Sequence, residues 1–245
     1  MLGFPVEMIV FALLAAIAAG FVRGLAGFGL SVVLVPVLQL AIAPSAAVLV
    51  GLISLFLIGL TDLGRVRRDA DRSAIPISAL ALVCMPLGLW ALTALPVEWA
   101  RVLIAAVSLG AFVLVAVPLG KVVMPRLPAM GLSGFFTGFF GGFAGMPGPG
   151  MAPFYLRGRL EPAAARASMM AIFLALTPIS AAFFVWRGIG GWNEVKLALM
   201  LFPAVLFGDW FGHRAFGRVS KTQWQVATAL VLGGAALGAM WKLLA

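Results

Sequence analysis

The sequence predicts an all-α polytopic membrane protein with about 8–10 membrane segments in two inverted-topology repeats with broken or re-entrant Gly-rich helices. Three observations predict this fold: an apolar composition, a glycine-rich stretch that occurs twice, and an alternation of basic and sparse loops. Hydrophobic residues make up 63% of the 245 residues and charged residues 10%. Because a soluble domain carries about 25% charged residues, the solvent of this chain is a lipid bilayer.

The repeated stretch reads GFVRGLAG at 20–27 and GFFGGFAG at 138–145, an ungapped match about 118 residues apart. Glycine weakens a helix, and non-helical backbone at membrane depth is tolerated only where protein buries it or water reaches it. Two such interruptions at equivalent places are typical of duplicated transporters.

The apolar segments vary in length. They fall at 8–22, 29–42, 45–60, 74–95, 100–118, 129–141, 148–156, 165–185, 195–212 and 224–241. Several reach the about 20 residues that span a bilayer, whereas those beside the second glycine cluster are shorter. We therefore predict broken or re-entrant helices there. The first segment follows Glu7 and has no preceding Lys or Arg, so it is predicted to be a membrane helix and not a signal peptide.

Loop charges orient the chain, because cytoplasmic loops collect Lys and Arg. Twelve of the 17 basic residues lie in four loops predicted to be cytoplasmic: Arg65, Arg67, Arg68, Arg72, Lys121, Arg126, Arg157, Arg159, Arg166, Arg214, Arg218 and Lys221. This distribution predicts both termini outside. Since the net charge of +9 is spread between apolar runs and not over one solvated face, nucleic acid is not an expected partner.

Equivalent loops of the two halves differ in charge. The neutral turn around Pro44 corresponds to the basic one around Pro162, and the basic loop at 61–73 corresponds to the sparse one at 186–192. Inverted repeats place equivalent loops on opposite sides of the membrane. We therefore predict a first membrane repeat at 1–120, a cytoplasmic linker at 121–127 and an inverted second repeat at 128–245.

Arg23 is the first candidate for a functional residue. An arginine at mid-depth is costly, so it is expected to face a cavity, a partner or a permeating anion. Its guanidinium binds oxyanions through paired donors. The alternative is an arginine that snorkels to the interface. Its repeat mate is Gly141, so a site at Arg23 would be asymmetric.

The two glycine clusters indicate an anion site independently. If the chain breaks at 24–29 and 142–148, the helices that follow expose N-terminal amides with about half a positive charge. The alternative is that these glycines serve only close helix packing. The candidate substrate-binding residues are Gly20, Arg23, Gly24, Gly27, Gly29, Ser31, Gly138, Gly142, Gly145 and Gly148.

Asp209 and His213 lie four residues apart, on one face of a predicted helix. A proton relay is one interpretation, because histidine titrates near physiological pH. A hydrated helix-end cluster with Arg214 and Arg218 is the other.

Enzyme functions find no support in the sequence. One His and one Cys, Cys84, provide neither a His-rich metal site nor a metalloprotease motif, and no Gly-rich nucleotide motif is present. We therefore expect no enzyme activity, no cofactor and no metal.

The segments GFVRGLAGFGLSVVLVPVL and GFFGGFAGMPGPGMAPF, with the turns at Pro44 and Pro162, resemble the TauE/SafE family of sulfite and organosulfonate transporters. The resemblance spans both halves. It implies export, or sometimes uptake, of a small sulfur oxyanion such as sulfite or sulfoacetate across a bacterial inner membrane. It also implies that the glycines of both motifs line the central region. The second motif departs from the family's glycine pair by placing Pro147 and Pro149 around Gly148.

The predicted function is a secondary transporter for such an anion, working by alternating access, with Asp209 and His213 as candidates for proton coupling. A passive anion channel and a membrane scaffold that binds another protein are the alternatives. The expected partners are the sulfur-containing anion and the lipid bilayer, and a homodimer stays open.

Overall fold

The structure, a computed structural model, describes residues 6–26, 28–116, 125–156 and 160–215. Every regular element in these ranges is an α-helix, as predicted. They are α1 (Val6–Ala26), α2 (Leu30–Leu38), α3 (Pro44–Leu60), α4 (Leu63–Asp69), α5 (Ala74–Ala94), α6 (Val97–Ala116), α7 (Arg126–Ala144), α8 (Gly148–Leu156), α9 (Pro162–Trp186) and α10 (Trp192–Ala215).

Six of these helices are long and apolar enough to cross a membrane: α1, α5, α6, α7, α9 and α10. A seventh span results if α3 and α4, which are bent by 70° relative to each other, are counted together. The described part of the chain therefore contains fewer spans than the 8–10 segments predicted. The segment at 148–156 forms the nine-residue helix α8, which is short as predicted, whereas the longer segment predicted at 29–42 forms α2, which also has nine residues and is too short to cross a bilayer. The segment at 129–141 was predicted to be short, but it lies in α7, which is long enough to span.

Two parts of the prediction lie largely outside the described residues. The segment at 224–241 lies entirely outside them. Of the linker at 121–127, only residues 125–127 are described. There α7 begins at Arg126, within the predicted linker. The positions of the chain termini likewise lie outside the described residues.

Both predicted glycine interruptions coincide with helix boundaries. α1 ends at Ala26 and α2 begins at Leu30, while α7 ends at Ala144 and α8 begins at Gly148. Gly29 has φ 104° and Gly145 has φ 65°, a left-handed backbone that glycine adopts without steric cost. These two glycines allow each chain reversal into a short helix.

The short helix α2 lies in the core of the described bundle. Eight of its nine residues are buried, Val37 being partly exposed. The chain from 141 to 152, which includes the start of α8, is also buried. The longer helices surround these segments and leave one face exposed, as helices facing lipid do.

Helix starts recur at a constant spacing along the chain. Leu30 and Gly148, Pro44 and Pro162, and Ala74 and Trp192 are each 118 residues apart. The packing partners recur in the same way. α1 packs on α10, and its counterpart α7 packs on α5. Likewise α3 packs on α10, and its counterpart α9 packs on α5. α3 and α9 also pack on each other. If every helix is replaced by its counterpart, the contacts of α1 and α7 convert into each other, and so do those of α3 on α10 and α9 on α5. The contact between α3 and α9 converts into itself.

Glycine allows the two closest of these helix pairs to form. A Cβ atom added at Gly20 or Gly24 of α1 would collide with the backbone of α10. A Cβ atom at Gly138 or Gly142 of α7 would collide with the backbone of α5 in the same way. The partner helices contribute Gly208 and Gly88, which approach α1 and α7 equally closely. Small residues at such contacts are the usual means of helix association in membranes.

Candidate functional site

Arg23 lies in the last turn of α1 and is paired with two carboxylates. Its side chain is 3% exposed. Nη1 donates a hydrogen bond of 2.7 Å to Oδ1 of Asp209, and Nη2 donates to Oδ2 of Asp62. Arg23 is thus near one end of α1 and not midway along it. Its partners also lie near helix ends, since Asp62 follows the end of α3 and Asp209 lies in the last part of α10.

Asp62 occupies the turn between α3 and α4 and has a second cationic partner. Nη1 of Arg65 donates a hydrogen bond of 2.9 Å to Oδ1 of Asp62. The two oxygens of this carboxylate thus bind different arginines. Arg65 is 56% exposed, whereas Asp62 is buried, so the carboxylate joins a buried guanidinium to a solvated one.

Asp209 and His213 share one face of α10, as their spacing predicts. Nδ1 of His213 lies 3.4 Å from Oδ2 of Asp209 and 3.0 Å from the Asp209 carbonyl oxygen. Arg214 lies instead over the ring of Trp210, 3.6 Å from the ring centroid. Arg218, the other member of the alternative helix-end cluster, is outside the described residues. We call the set Arg23, Asp62, Arg65, Asp209 and His213 the Arg23 cluster.

A cavity of about 800 Å³ opens next to the Arg23 cluster. Its wall contains four members of the cluster but not Arg23 itself. The lining residues are Thr61, Asp62, Arg65, Leu206, Phe207, Asp209, Trp210 and His213. A solute in this cavity therefore meets the two carboxylates before it reaches the buried guanidinium.

A second region, the break region, is formed by residues 28–31 and 145–148. A Cβ atom added at Gly148 would lie 3.7 Å from the Phe28 ring and 3.8 Å from the Phe173 ring, in ordinary van der Waals contact. The chain entering α2 is thus adjacent to the first residue of α8. Phe28 and Gly148 are buried, whereas Gly29 is partly exposed, so the side chain that precedes α2 packs against the start of α8 inside the protein.

Ser31 contributes a hydroxyl to the first turn of α2 in the break region. The residue is 4% exposed, and its Oγ has no hydrogen-bond partner among the described residues. The hydroxyl is close to α3, where an added Cβ on Gly51 would lie 3.7 Å from it. Because a buried polar group without a partner is costly, Ser31 indicates that a polar ligand or water completes this site.

The candidate residues thus fall into three groups. Arg23, Asp209 and His213 come together in the Arg23 cluster, while Gly29, Ser31, Gly145 and Gly148 belong to the break region. Gly20, Gly24, Gly138 and Gly142 face neighbouring helices, where close packing accounts for them. Gly27 lies outside the described residues.

Asp62 is the residue that sequence reasoning missed. It lies in the basic loop at 61–73, where only Lys and Arg served to orient the chain. An acidic residue directly after the apolar run of α3 was the available signal. Its pairing with Arg23 depends on which distant segments meet at the end of α1, which no local pattern encodes.

Another polar cluster ties the end of α8 to the α4–α5 loop. The Asp71 amide donates to Ser168 Oγ at 2.8 Å, and Ser73 Oγ lies 3.1 Å from the Tyr155 hydroxyl. Hydrogen bonds from the Ser73 side chain and amide, with the Arg126 guanidinium nearby, lower the pKa of Asp71 below its usual value. These contacts serve the packing of the loop. No group of three or more His, Cys, Asp or Glu placed to hold a metal occurs among the described residues.

In the described part of the chain, six or seven apolar spans, two interrupted helices and a buried charged cluster define a polytopic α-helical membrane protein. Residues 12–239 match the family described as Sulfite exporter TauE/SafE. The chain therefore belongs to the TauE/SafE family, which confirms the predicted resemblance. It is a membrane transporter family and not an enzyme family. Comparisons with curated proteins and with solved structures give no match.

Proposed function

We propose that this protein is a secondary transporter that exports a small sulfur oxyanion or organosulfonate, such as sulfite or sulfoacetate, by alternating access. The family supplies the transporter class and the sulfur chemistry. The glycine-rich starts of α2 and α8, where the Phe28 ring packs against Gly148, carry the proposal for where the anion binds. Unpaired amides and the helix dipole make such ends binding sites for oxyanions.

The break region has the features of a selective anion site. Its glycines permit close approach of backbone amides to an oxyanion, and the Ser31 hydroxyl is available to donate one hydrogen bond. All described residues from 141 to 150 are buried, so the bound anion would be shielded from water. Discontinuous helices whose N-termini point at an anionic group are a recurring transporter design.

The recurrent architecture supports two inverted repeats at 1–120 and 128–245, joined at 121–127. Helix starts recur 118 residues apart, the packing partners exchange between the halves, and the loop charges alternate. Such a pair of halves would rock about a central site. In this arrangement the basic loops face the cytoplasm of a bacterial cell, and both termini lie outside the inner membrane.

The Arg23 cluster would control access of the anion at one end of the transport pathway. Its arginine is balanced by two carboxylates, so it contacts an anion only after rearrangement. Asp209 and His213 stay the candidates for proton coupling, since the cavity of about 800 Å³ reaches both of them. A homodimer stays a prediction.

Transport by reconstituted protein tests the function. Proteoliposomes loaded with labelled sulfite or sulfoacetate should release it with saturable kinetics, accelerated by a pH gradient if protons are coupled. A thermal-shift screen with sulfite, sulfoacetate, taurine, thiosulfate and sulfate should show which anions bind. Flux that neither saturates nor responds to a gradient would establish the passive channel instead. Absence of both flux and an anion-induced shift would favour the scaffold.

A further inference from the structure

The guanidinium of Arg23 has no free pair of terminal nitrogens. Nη1 is bound to Asp209 and Nη2 to Asp62, and these two carboxylates come from different helices. An oxyanion binds arginine best through two parallel hydrogen bonds from such a pair of nitrogens. A transported anion that takes both terminal nitrogens of Arg23 must therefore compete with the two carboxylates for them.

Each carboxylate has another partner on its own part of the chain. Asp62 is bound by Arg65 three residues further on, and Asp209 is close to His213 four residues further on. Neither carboxylate would be left alone in a buried position if it moved off Arg23. Removal of a partner from a buried ion pair is normally very costly, so these local partners make displacement feasible.

The same arrangement is absent from the equivalent positions of the other half. At the spacing of 118 residues, Arg23 corresponds to Gly141, Asp62 to Ser180 and Asp209 to Ala91. Ser180 is fully buried, and its hydroxyl has no partner among the described residues. The charged cluster therefore acts at one end of the described bundle, where it joins α1 and the end of α3 to α10 of the second half.

Other charges surround this end of the bundle. Arg166 of α9 lies close enough to Arg65 and Arg23 to interact with their charges. The cavity of about 800 Å³ reaches both carboxylates. An approaching anion thus meets positive charge around two carboxylates that already hold the central arginine.

We infer that Asp62 and Asp209 are internal counter-anions of Arg23, which the transported oxyanion must displace to pass this end of the protein. Without substrate they hold α1, α3 and α10 together and keep this end closed. With substrate on Arg23, Asp62 turns to Arg65 and Asp209 to His213. The inference rests on the proposed function, since it takes a small sulfur oxyanion as the competing ligand.

A double-mutant cycle on the detergent-purified full chain tests this competition, with sulfite and sulfoacetate titrated by calorimetry. Asp62→Asn removes the competitor and should tighten anion binding at least about fivefold. Arg65→Gln takes away the alternative partner of Asp62, so it should weaken binding about threefold or more. In the Asp62→Asn background, Arg65→Gln should have no effect, because Arg65 acts through Asp62.

Matched controls separate competition from a change in overall charge. Asp71→Asn removes a carboxylate that pairs with Arg126, and Arg68→Gln removes an exposed arginine that pairs with Asp69. Both should leave the affinity unchanged. If Arg65→Gln weakened binding equally in both backgrounds, direct attraction would explain it and the inference would be wrong. Unchanged or weaker binding by folded Asp62→Asn would also overturn it.

The second carboxylate provides an independent cycle if Asp62→Asn does not fold. Asp209→Asn should tighten binding, and His213→Gln should weaken it only when Asp209 is present. Binding by the wild type without these effects would refute the counter-anion role alone. If neither wild type nor any Asn variant bound an anion of the screen, the proposed function itself would fail, and this inference with it.

Discussion

Ser31 illustrates how one buried polar atom can identify a site. The residue is 4% exposed and its hydroxyl is unpaired among the described residues, although it lies in the first turn of α2, close to Gly51 of α3. If the hydroxyl had only a structural role, its loss would be nearly neutral, because no hydrogen bond of the protein would be broken. A ligand-binding hydroxyl behaves differently, which makes the substitution informative.

We expect Ser31→Ala to weaken sulfite or sulfoacetate binding by about three- to tenfold, the loss of roughly one hydrogen bond to a charged group. The melting temperature without ligand should be unchanged or slightly higher. Calorimetric titration and thermal denaturation of the purified variant measure the two effects.

Ser54→Ala is the matched control for this prediction. Ser54 is also buried and unpaired among the described residues, but it lies within α3 and not in the first turn of a helix that follows a break. Its removal should change neither affinity nor stability appreciably. Equal anion affinity of the Ser31 and Ser54 variants would argue against the break region as the binding site.

Arg23 shows what local sequence can and cannot predict about a residue. Its type and apolar surroundings correctly indicated an unusual buried charge. Its position near the end of α1 and its two carboxylate partners depend on how α3 and α10 pack against α1. Asp209 and His213 were predicted together because they share one helix, whereas Asp62 is 39 residues from Arg23 and was missed.

At the level of helices, the repeated glycine motif has two separate physical roles. Gly29 and Gly145 provide the left-handed backbone at the two breaks. Gly20 and Gly24 in α1, like their counterparts in α7, allow backbone contact with a neighbouring helix. The motif therefore specifies both where a helix stops and which face of the helix packs most closely.

Gly24→Ala and Gly142→Ala should each destabilise the protein by about 1 to 3 kcal/mol, because the added methyl group meets backbone of α10 or α5, which cannot rotate away. Thermal denaturation in one detergent measures the loss. Gly110→Ala in α6 is the control, since no atom of the described residues outside its own helix backbone lies within 4 Å of its added Cβ. That variant should be as stable as the wild type or slightly more so. Equal stability of all three variants would show that the glycine contacts are not close in solution.

On the scale of the whole described bundle, the two proposed halves exchange packing partners. α1 with α10 and α7 with α5 are equivalent pairs, so each half completes its packing with a helix of the other. Neither half would bury its glycine-rich helix alone. This exchange is expected of halves that move relative to each other about a shared centre.

Inverted halves predict opposite exposure of equivalent loops. In a Cys84→Ala background, Arg187→Cys should react with a membrane-impermeant maleimide added outside right-side-out vesicles. Arg68→Cys should react only after the vesicles are permeabilised, because its basic loop is predicted to be cytoplasmic. Reaction of both cysteines from the same side of intact vesicles would rule out the inverted arrangement.

The sequence by itself determined the membrane environment, the all-α class, the positions of the two helix breaks and the family. These properties follow from composition, glycine placement and local motifs, which are encoded within short stretches of chain. Only the tertiary structure decided that four motif glycines face neighbouring helices and that Arg23 is bound by Asp62 and Asp209. Packing between distant segments decides such contacts, since the partners of a buried charge are chosen by which helices meet.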